Sequence, residues 1–261
     1  MNPQLQPGPA DVLGCRVDVR SMAEVHTWIE TVVEGRAGSG CRHLVTLNPE
    51  YVMLAQRNPE FRSQINNADV VLTDGVGVAW AVPILNPLYR RGMPIERVTG
   101  VDLTEWIGSH SGQPGWSVFL LGAGPGVAIT AAAAIEHRTS GAAIAGSWDG
   151  GSAESKHDAE SLRRIRELGA RVVLVAYGAP GQVEWIARNQ QALGEAGVVL
   201  AIGVGGAFDF VSGRVPRAPG WMRSVGLEWL YRLVREPWRA RRMAVLPVFA
   251  GKVLLTRLRG R

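Results

Sequence analysis

Cysteine and lysine are both scarce in this 261-residue chain, and long apolar runs are missing. The two cysteines, Cys15 and Cys41, lack metal-ligand spacing, so neither a disulfide framework nor a zinc site is expected. A reducing, cytoplasmic setting fits that usage. No stretch supplies the ~20 apolar residues of a spanning helix. The best run, Met243 to Leu255, is too short and contains Pro247 and Lys252. The opening MNPQLQPGPA lacks a charged region followed by an apolar one, and it reads as a flexible lead over residues 1–12 rather than a signal peptide. Carboxylates are not clustered for a metal-bound diphosphate, and the five histidines are dispersed, so no metal is expected.

The lysine shortage is an arginine surplus: Lys156 and Lys252 stand against 26 arginines. The formal net charge of +5 hides a split along the chain. Residues 214–261 hold 12 basic side chains against Glu228 and Glu236, a charge of +10, and the other 213 residues sum to −5. The basic character therefore belongs to the C-terminal segment. Hydrophobic residues at 46%, charged residues at 20% and nine tryptophans beside 32 glycines argue against a disordered polymer and fit an enzyme-sized globular domain.

From Cys41 onward, short β-branched runs alternate with longer helical patterns, the signature of βαβ units. Strands are expected at 43–47, 70–73, 117–121, 142–145, 172–176 and 198–203. Helices are expected at 22–34, 49–66, 76–84, 101–109, 126–139, 152–168 and 181–193. The fold class is α/β: a Rossmann-like, mainly parallel sheet with helices on both faces over residues 13–210. After Gly213 arginines mix with Trp221, Trp229, Trp238 and Tyr231 between prolines, so 211–261 reads as a basic helical appendage.

In open α/β sheets, ligands collect at the carboxyl ends of strands, beside bare helix N-termini. Asp74 sits at such an end, where a carboxylate can act as a general base, although Asp-Gly is also an ordinary turn pair. Thr46 and Asn48, at spacing two, can reach one cleft or simply end a strand and cap a helix. Gly122 and Gly124 form a glycine loop between strand and helix, the context of a nucleotide-phosphate site. Asp149 is poorly placed as the ribose-binding acid of a nicotinamide site, so no such cofactor is expected. Gln182 and Gly205 follow two later strands, and Gln182 can either bond a sugar or nucleobase or end a turn. The arginines of 214–261 match phosphate oxygens bidentately, and with the tryptophans they suit an anionic membrane surface. The same segment also fits a basic helix closing the core or an oligomer interface.

Several motifs in order carry a further reading. They are Thr46-Leu-Asn48-Pro-Glu, Ala68-Asp-Val-Val-Leu-Thr-Asp74-Gly, Glu96-Arg97-Val-Thr-Gly, Gly178-Ala-Pro-Gly-Gln182, Gly205-Gly-Ala-Phe-Asp-Phe-Val-Ser-Gly and Arg217-Ala-Pro with Gly226-Leu-Glu-Trp-Leu-Tyr-Arg232 through Glu236-Pro-Trp-Arg239. From about Val17 to Arg242 the chain resembles the WecG/TagA/CpsF family of bacterial glycosyltransferases. The resemblance implies a metal-independent, inverting enzyme without cofactor. It would move N-acetylmannosamine, its uronic acid form or glucose from a UDP-sugar donor to a polyprenyl-diphosphate-linked saccharide at the inner face of the cytoplasmic membrane. It implies Asp74 as base and Thr46, Asn48, Arg97 and Gln182 in the active site, with Arg232, Arg239 and Arg242 folding over it. Gly181 departs from the charged residue that many relatives carry before the glutamine.

Two other classes compete. A non-catalytic, nucleotide-binding membrane adaptor would need no Asp74. A nucleic-acid-binding protein would bind with steep salt dependence and no UDP dependence, and nucleic acid is not the expected partner. Self-association through the apolar C-terminal helix stays open.

Overall fold

The computed structural model describes residues 8–89, 95–224, 226–237 and 240–259. It opens with an antiparallel hairpin of β1 (Ala10–Val12) and β2 (Cys15–Val17). Leu13 and Gly14 turn it with φ of 55° and 83°, the left-handed pair that a two-residue hairpin loop requires. Ala10, Val12, Cys15 and Val17 are all buried. The expected flexible lead therefore gives way to a core strand from residue 10, because apolar residues alternate with Asp11 and Arg16 across the turn.

Helix α1 (Met22–Val33) starts in a reciprocal capping box between Ser21 and Glu24. Strand β3 (Arg42–Leu47) leads into α2 (Pro49–Ala55) and α3 (Pro59–Asn67), where one continuous helix was expected. Proline disfavours helical backbone in the residue before it. Asn58 is extended instead, and its side chain accepts a hydrogen bond from the Phe61 N–H at 3.0 Å. Next come β4 (Val70–Thr73), α4 (Val76–Leu85), α5 (Gly100–His110), β5 (Val118–Gly122) and α6 (Val127–Arg138).

The strand expected at 142–145 lies instead at β6 (Gly146–Trp148), whose register sets Gly146 opposite Phe119. An edge strand has one neighbour and needs no continuous apolar run, so the apolar residues before it serve as its connection. The rest of the domain is α7 (Asp158–Glu167), β7 (Val172–Ala176), α8 (Gly181–Glu195), β8 (Leu200–Gly203) and α9 (Ala207–Val211). The C-terminal segment adds α10 (Gly220–Ser224), α11 (Glu228–Arg235), α12 (Ala240–Met243) and α13 (Val245–Arg259).

Strands β3 to β8 form one parallel sheet in the order β4-β3-β8-β7-β5-β6. Alternation along the strands sends Leu44, Leu72, Leu120, Leu174 and Ile202 to a face covered by α1, α5 and α6. Val45, Val71, Leu121, Val175 and Ala201 go to the other face, under α2, α3, α4, α7 and α8. Burial on both sides explains why these strands read as unbroken apolar runs. The fold is Rossmann-like α/β, as the alternation of segments predicts.

The last helix is not a free appendage. Helix α13 packs back onto α2 and α4, and Phe249 and Val253 are buried in the same cluster as Val45 and Val71. Cys15 and Cys41 are buried free thiols, each pushed up to about 12 by burial, which keeps them neutral and unreactive. Replacing Phe249 by alanine should cost about 3–5 kcal/mol in stability, the range for truncating a buried aromatic. Chemical denaturation checks this, and an unchanged midpoint would mean that α13 does not belong to the core.

Candidate active site

A cleft of about 710 Å³ opens at the carboxyl ends of β4, β3, β8 and β7. Its size suits a small-molecule site, and its position is where ligands gather in open α/β sheets. Thr46, Asn48, Asp74, Arg97, Gln182, Gly205, Arg232 and Arg242 all line it. Arg239 lies outside the described residues. Gly122 and Gly124 do not line the cleft; Ala123 between them does. At the end of this glycine loop the Gly126 N–H, which opens α6, donates to the Asp149 carboxylate, so that helix start is already capped by the protein's own anion.

Asp74 leaves β4 with its backbone N–H bonded to the Leu47 carbonyl at 2.8 Å, which fixes it beside the end of β3. Gly75 then turns into α4 at φ 87°, a conformation that side chains resist. Burial is the largest influence on the Asp74 carboxyl, followed by the negative charges of Glu228 and Asp102, and Arg97 and Arg217 oppose them. The net result pushes its pKa up to about 7. A group poised there exchanges protons near neutral pH.

Around Asp74, several polar side chains are used for construction. The Thr46 hydroxyl is buried and donates to the Gly203 carbonyl at 2.9 Å, tying β3 to β8. Asn48 caps α2 by accepting from the Tyr51 N–H at 3.2 Å. Gln182, also buried, accepts through Oε1 from the Gly178 N–H at 3.2 Å and the Gly205 N–H at 2.9 Å, so one amide pins the loops after β7 and β8. Its side chain also meets the buried Tyr51 hydroxyl. A Cβ on Gly203 would stand 2.6 Å from Gln182 Nε2, so the clamp requires glycine at that position.

The C-terminal segment supplies the remaining walls. Arg232 donates from Nε to Glu236 at 2.7 Å and stacks 4.5 Å from the Phe210 ring. Its Nη2 lies 3.7 Å from Asp209 and is buried without a hydrogen-bond partner, next to Gly206. Arg242 reaches Glu50 at the start of α2 with bonds of 3.0 and 2.6 Å. Arg97 donates to the Arg223 carbonyl. Arg217 stands among Asp102 at 2.8 Å, Glu105 at 3.5 Å and Glu228 at 3.5 Å.

Glu228, Glu50, Tyr51 and the apolar wall of Trp80 and Phe249 also line the cleft, and sequence reasoning gave them no role. Glu50 and Glu228 do stand inside two of the motifs quoted above. Arg217, one of the C-terminal arginines expected to match phosphate oxygens, is instead engaged by Asp102, Glu105 and Glu228 and does not line the cleft.

A carboxylate with a raised pKa and guanidinium groups meeting at the ends of parallel strands are the layout of an α/β enzyme. The chain belongs to the glycosyl transferase WecG/TagA/CpsF family, which its residues 10–261 match, and it is a glycosyltransferase. The match reaches further at both ends than the Val17 to Arg242 span of the motifs. Over 212 residues the chain is 33% identical to the N-acetylglucosaminyldiphosphoundecaprenol N-acetyl-beta-D-mannosaminyltransferase of Bacillus spizizenii, covering 81% of this chain and 78% of that protein.

The perturbed carboxyl also bears on stability. A carboxyl whose folded pKa lies above its unfolded value destabilises the fold once it ionises. For Asp74 that penalty grows from about pH 4, the ordinary aspartate value, and is complete above about pH 7. Asp74→Asn should therefore raise the melting temperature at pH 8 and change it little at pH 4. Equal effects at both pH values in calorimetry would contradict the raised pKa.

Proposed function

We propose that this enzyme moves a sugar from a UDP-sugar onto a polyprenyl-diphosphate-linked saccharide in one inverting displacement without a metal ion. The donor class is N-acetylmannosamine, its uronic acid form or glucose, and the activity named for the Bacillus relative favours the first. Asp74 carries the reading, as a carboxylate poised near neutrality on the cleft wall. The acceptor hydroxyl oxygen attacks the anomeric carbon while Asp74 takes its proton. The bond from that carbon to UDP breaks on the opposite side, and UDP leaves as an anion. Arg232, on the cleft wall with its Nη2 3.7 Å from Asp209 and not hydrogen-bonded to it, is suited to meet the charge that develops on the diphosphate. Arg242 and Arg97 are suited to hold donor or acceptor phosphates, and Arg239 completes the set by family resemblance. Thr46, Asn48 and Gln182 keep the strand-end loops in position, and Gly205 brings its backbone close to the ligand.

UDP release from a panel of UDP-sugars, with and without a lipid-diphosphate acceptor, tests this directly. Asp74→Asn should lose at least about 100-fold in turnover while still binding donor, and wild-type turnover in that variant would exclude Asp74 as base. Arg232→Ala should lose about 100-fold in kcat with a smaller change in KM. The wild-type rate should fall as pH drops below about 7, because the base must be ionised.

An acceptor of this kind resides in a membrane, and among the described residues no helix is long and apolar enough to cross one. The C-terminal segment exposes Trp221, Val234, Leu254 and Leu258 between arginines. That mixture suits peripheral docking at the inner face of the cytoplasmic membrane, with arginines on anionic headgroups and apolar side chains at the interface. Flotation with vesicles rich in phosphatidylglycerol should capture the protein, and salt should weaken the capture. Equal binding to neutral vesicles would refute the electrostatic part.

A further inference from the structure

Helix α4 leaves the Asp74-Gly75 turn as ten residues, Val76–Leu85, without one polar side chain. Val78, Ala81 and Val82 are buried, whereas Val76 and Trp80, four residues apart on one face, line the cleft and stay 40% and 39% exposed. Trp80 lies about 6 Å further along the helix axis than Val76, in the direction that leads away from Asp74. Helix α13 supplies the adjoining wall. Leu246 and Ala250, also four apart, line the cleft, and Leu254 and Leu258 continue that ridge to the exposed end of the helix. A Cβ on Gly77 would stand 2.5 Å from Pro49 Cγ and 3.6 Å from Phe249 Cε1, so α4 packs this closely on α2 and α13 only with glycine there. Both walls present a polar group first and an apolar row after it. Asp74 precedes Val76 and Trp80, and Arg242 of α12 precedes Leu246 and Ala250. Apolar surface left open inside a cleft marks a place that something apolar covers.

We propose that the groove between Val76, Trp80, Leu246 and Ala250 is an isoprenoid subsite, which holds the first units of the polyprenyl chain of the acceptor. The inference deepens the glycosyltransferase reading and rests on the acceptor being a polyprenyl-diphosphate-linked saccharide. Such an acceptor has the same order as the cleft: a saccharide hydroxyl, then a diphosphate, then hydrocarbon. With the hydroxyl at Asp74 and the diphosphate at the arginines, the hydrocarbon meets the wall of α4 and α13. Leu254 and Leu258 then lead it to the surface that docks on the membrane. Neither a UDP-sugar nor a soluble saccharide carries an apolar chain that would cover Trp80. Hydrocarbon buried on this wall favours a lipid-linked acceptor over a soluble one, so Trp80 is a specificity-determining residue. It touches the chain and not the reacting atoms.

The experiment compares two acceptors in vesicle-free solution: N-acetylglucosaminyl diphosphate esterified with a farnesyl chain or with an ethyl group, both below micelle-forming concentration. UDP release by the full-length protein gives acceptor KM and kcat at a saturating concentration of the donor that the UDP-sugar panel selects. The farnesyl acceptor should have a KM at least about 100-fold below that of the ethyl acceptor. Trp80→Ala should shrink that ratio about tenfold by raising the farnesyl KM, and Trp80→Phe should keep most of it. Equal KM values for the two acceptors in the wild type would overturn the proposal. A Trp80→Ala loss shared equally by both acceptors would also overturn it and make Trp80 a saccharide or structural contact. Should Trp80→Ala not fold, Leu246→Ala is read in the same way. Trp80→Ala should float with anionic vesicles as the wild type does; lost flotation with an unchanged KM ratio would assign Trp80 to the bilayer and overturn the subsite. Transfer to neither acceptor would remove the acceptor reading itself, and the subsite with it.

Discussion

Ionising Asp74 is unfavourable where it sits, because the end of a doubly covered parallel sheet offers little water and two further carboxylates stand nearby. The surrounding architecture limits that cost without abolishing it. Arg97 and Arg217 supply opposing charge, but each is also engaged by other partners. What results is a carboxyl that exchanges its proton near neutral pH and a fold that is less stable for carrying it. Sites poised for chemistry commonly have this character, since the arrangement that favours reaction is rarely the one that favours folding.

The C-terminal segment matters to the site because its links to the body are both apolar and polar. Phe249 and Val253 anchor α13 in the core, while Arg242 pairs with Glu50 and Arg232 leans on Phe210. The arginine surplus gains meaning from this geometry. A guanidinium can bond one carboxylate, lie flat on a ring and still offer an N–H elsewhere, as Arg232 does. An ammonium group lacks that planar spread of donors.

Much of the fold was legible because a sheet buried on both faces leaves apolar runs of strand length, and these marked β3, β4, β5, β7 and β8. The misplaced edge strand β6 shows the converse: with one neighbour and half-buried side chains it carries no such run. The opening hairpin was present in the alternation of Ala10, Val12, Cys15 and Val17 about Leu13-Gly14, but the first residues, weighed only against a signal-peptide pattern, read as a lead. The break at Asn58-Pro59 followed from local chemistry alone. At the site, Asp74, Thr46, Asn48 and Gln182 were visible as polar residues at strand ends. The glycine loop at Gly122 and Gly124 drew attention by composition, yet Asp149 occupies the helix start that follows it.

Local spacing along the chain determined the βα order, the strand ends where ligands meet the sheet, and the separation of a basic C-terminal segment from a mildly acidic body. These are properties of neighbours in sequence, so periodicity and composition carry them. Tertiary structure alone decided that Gln182 clamps two loops, that Arg217 meets Asp102 and Glu105 more than 100 residues earlier in the chain, and that the last helix belongs to the core. Electrostatic and packing energies depend on distance through space, and a linear sequence does not contain that distance.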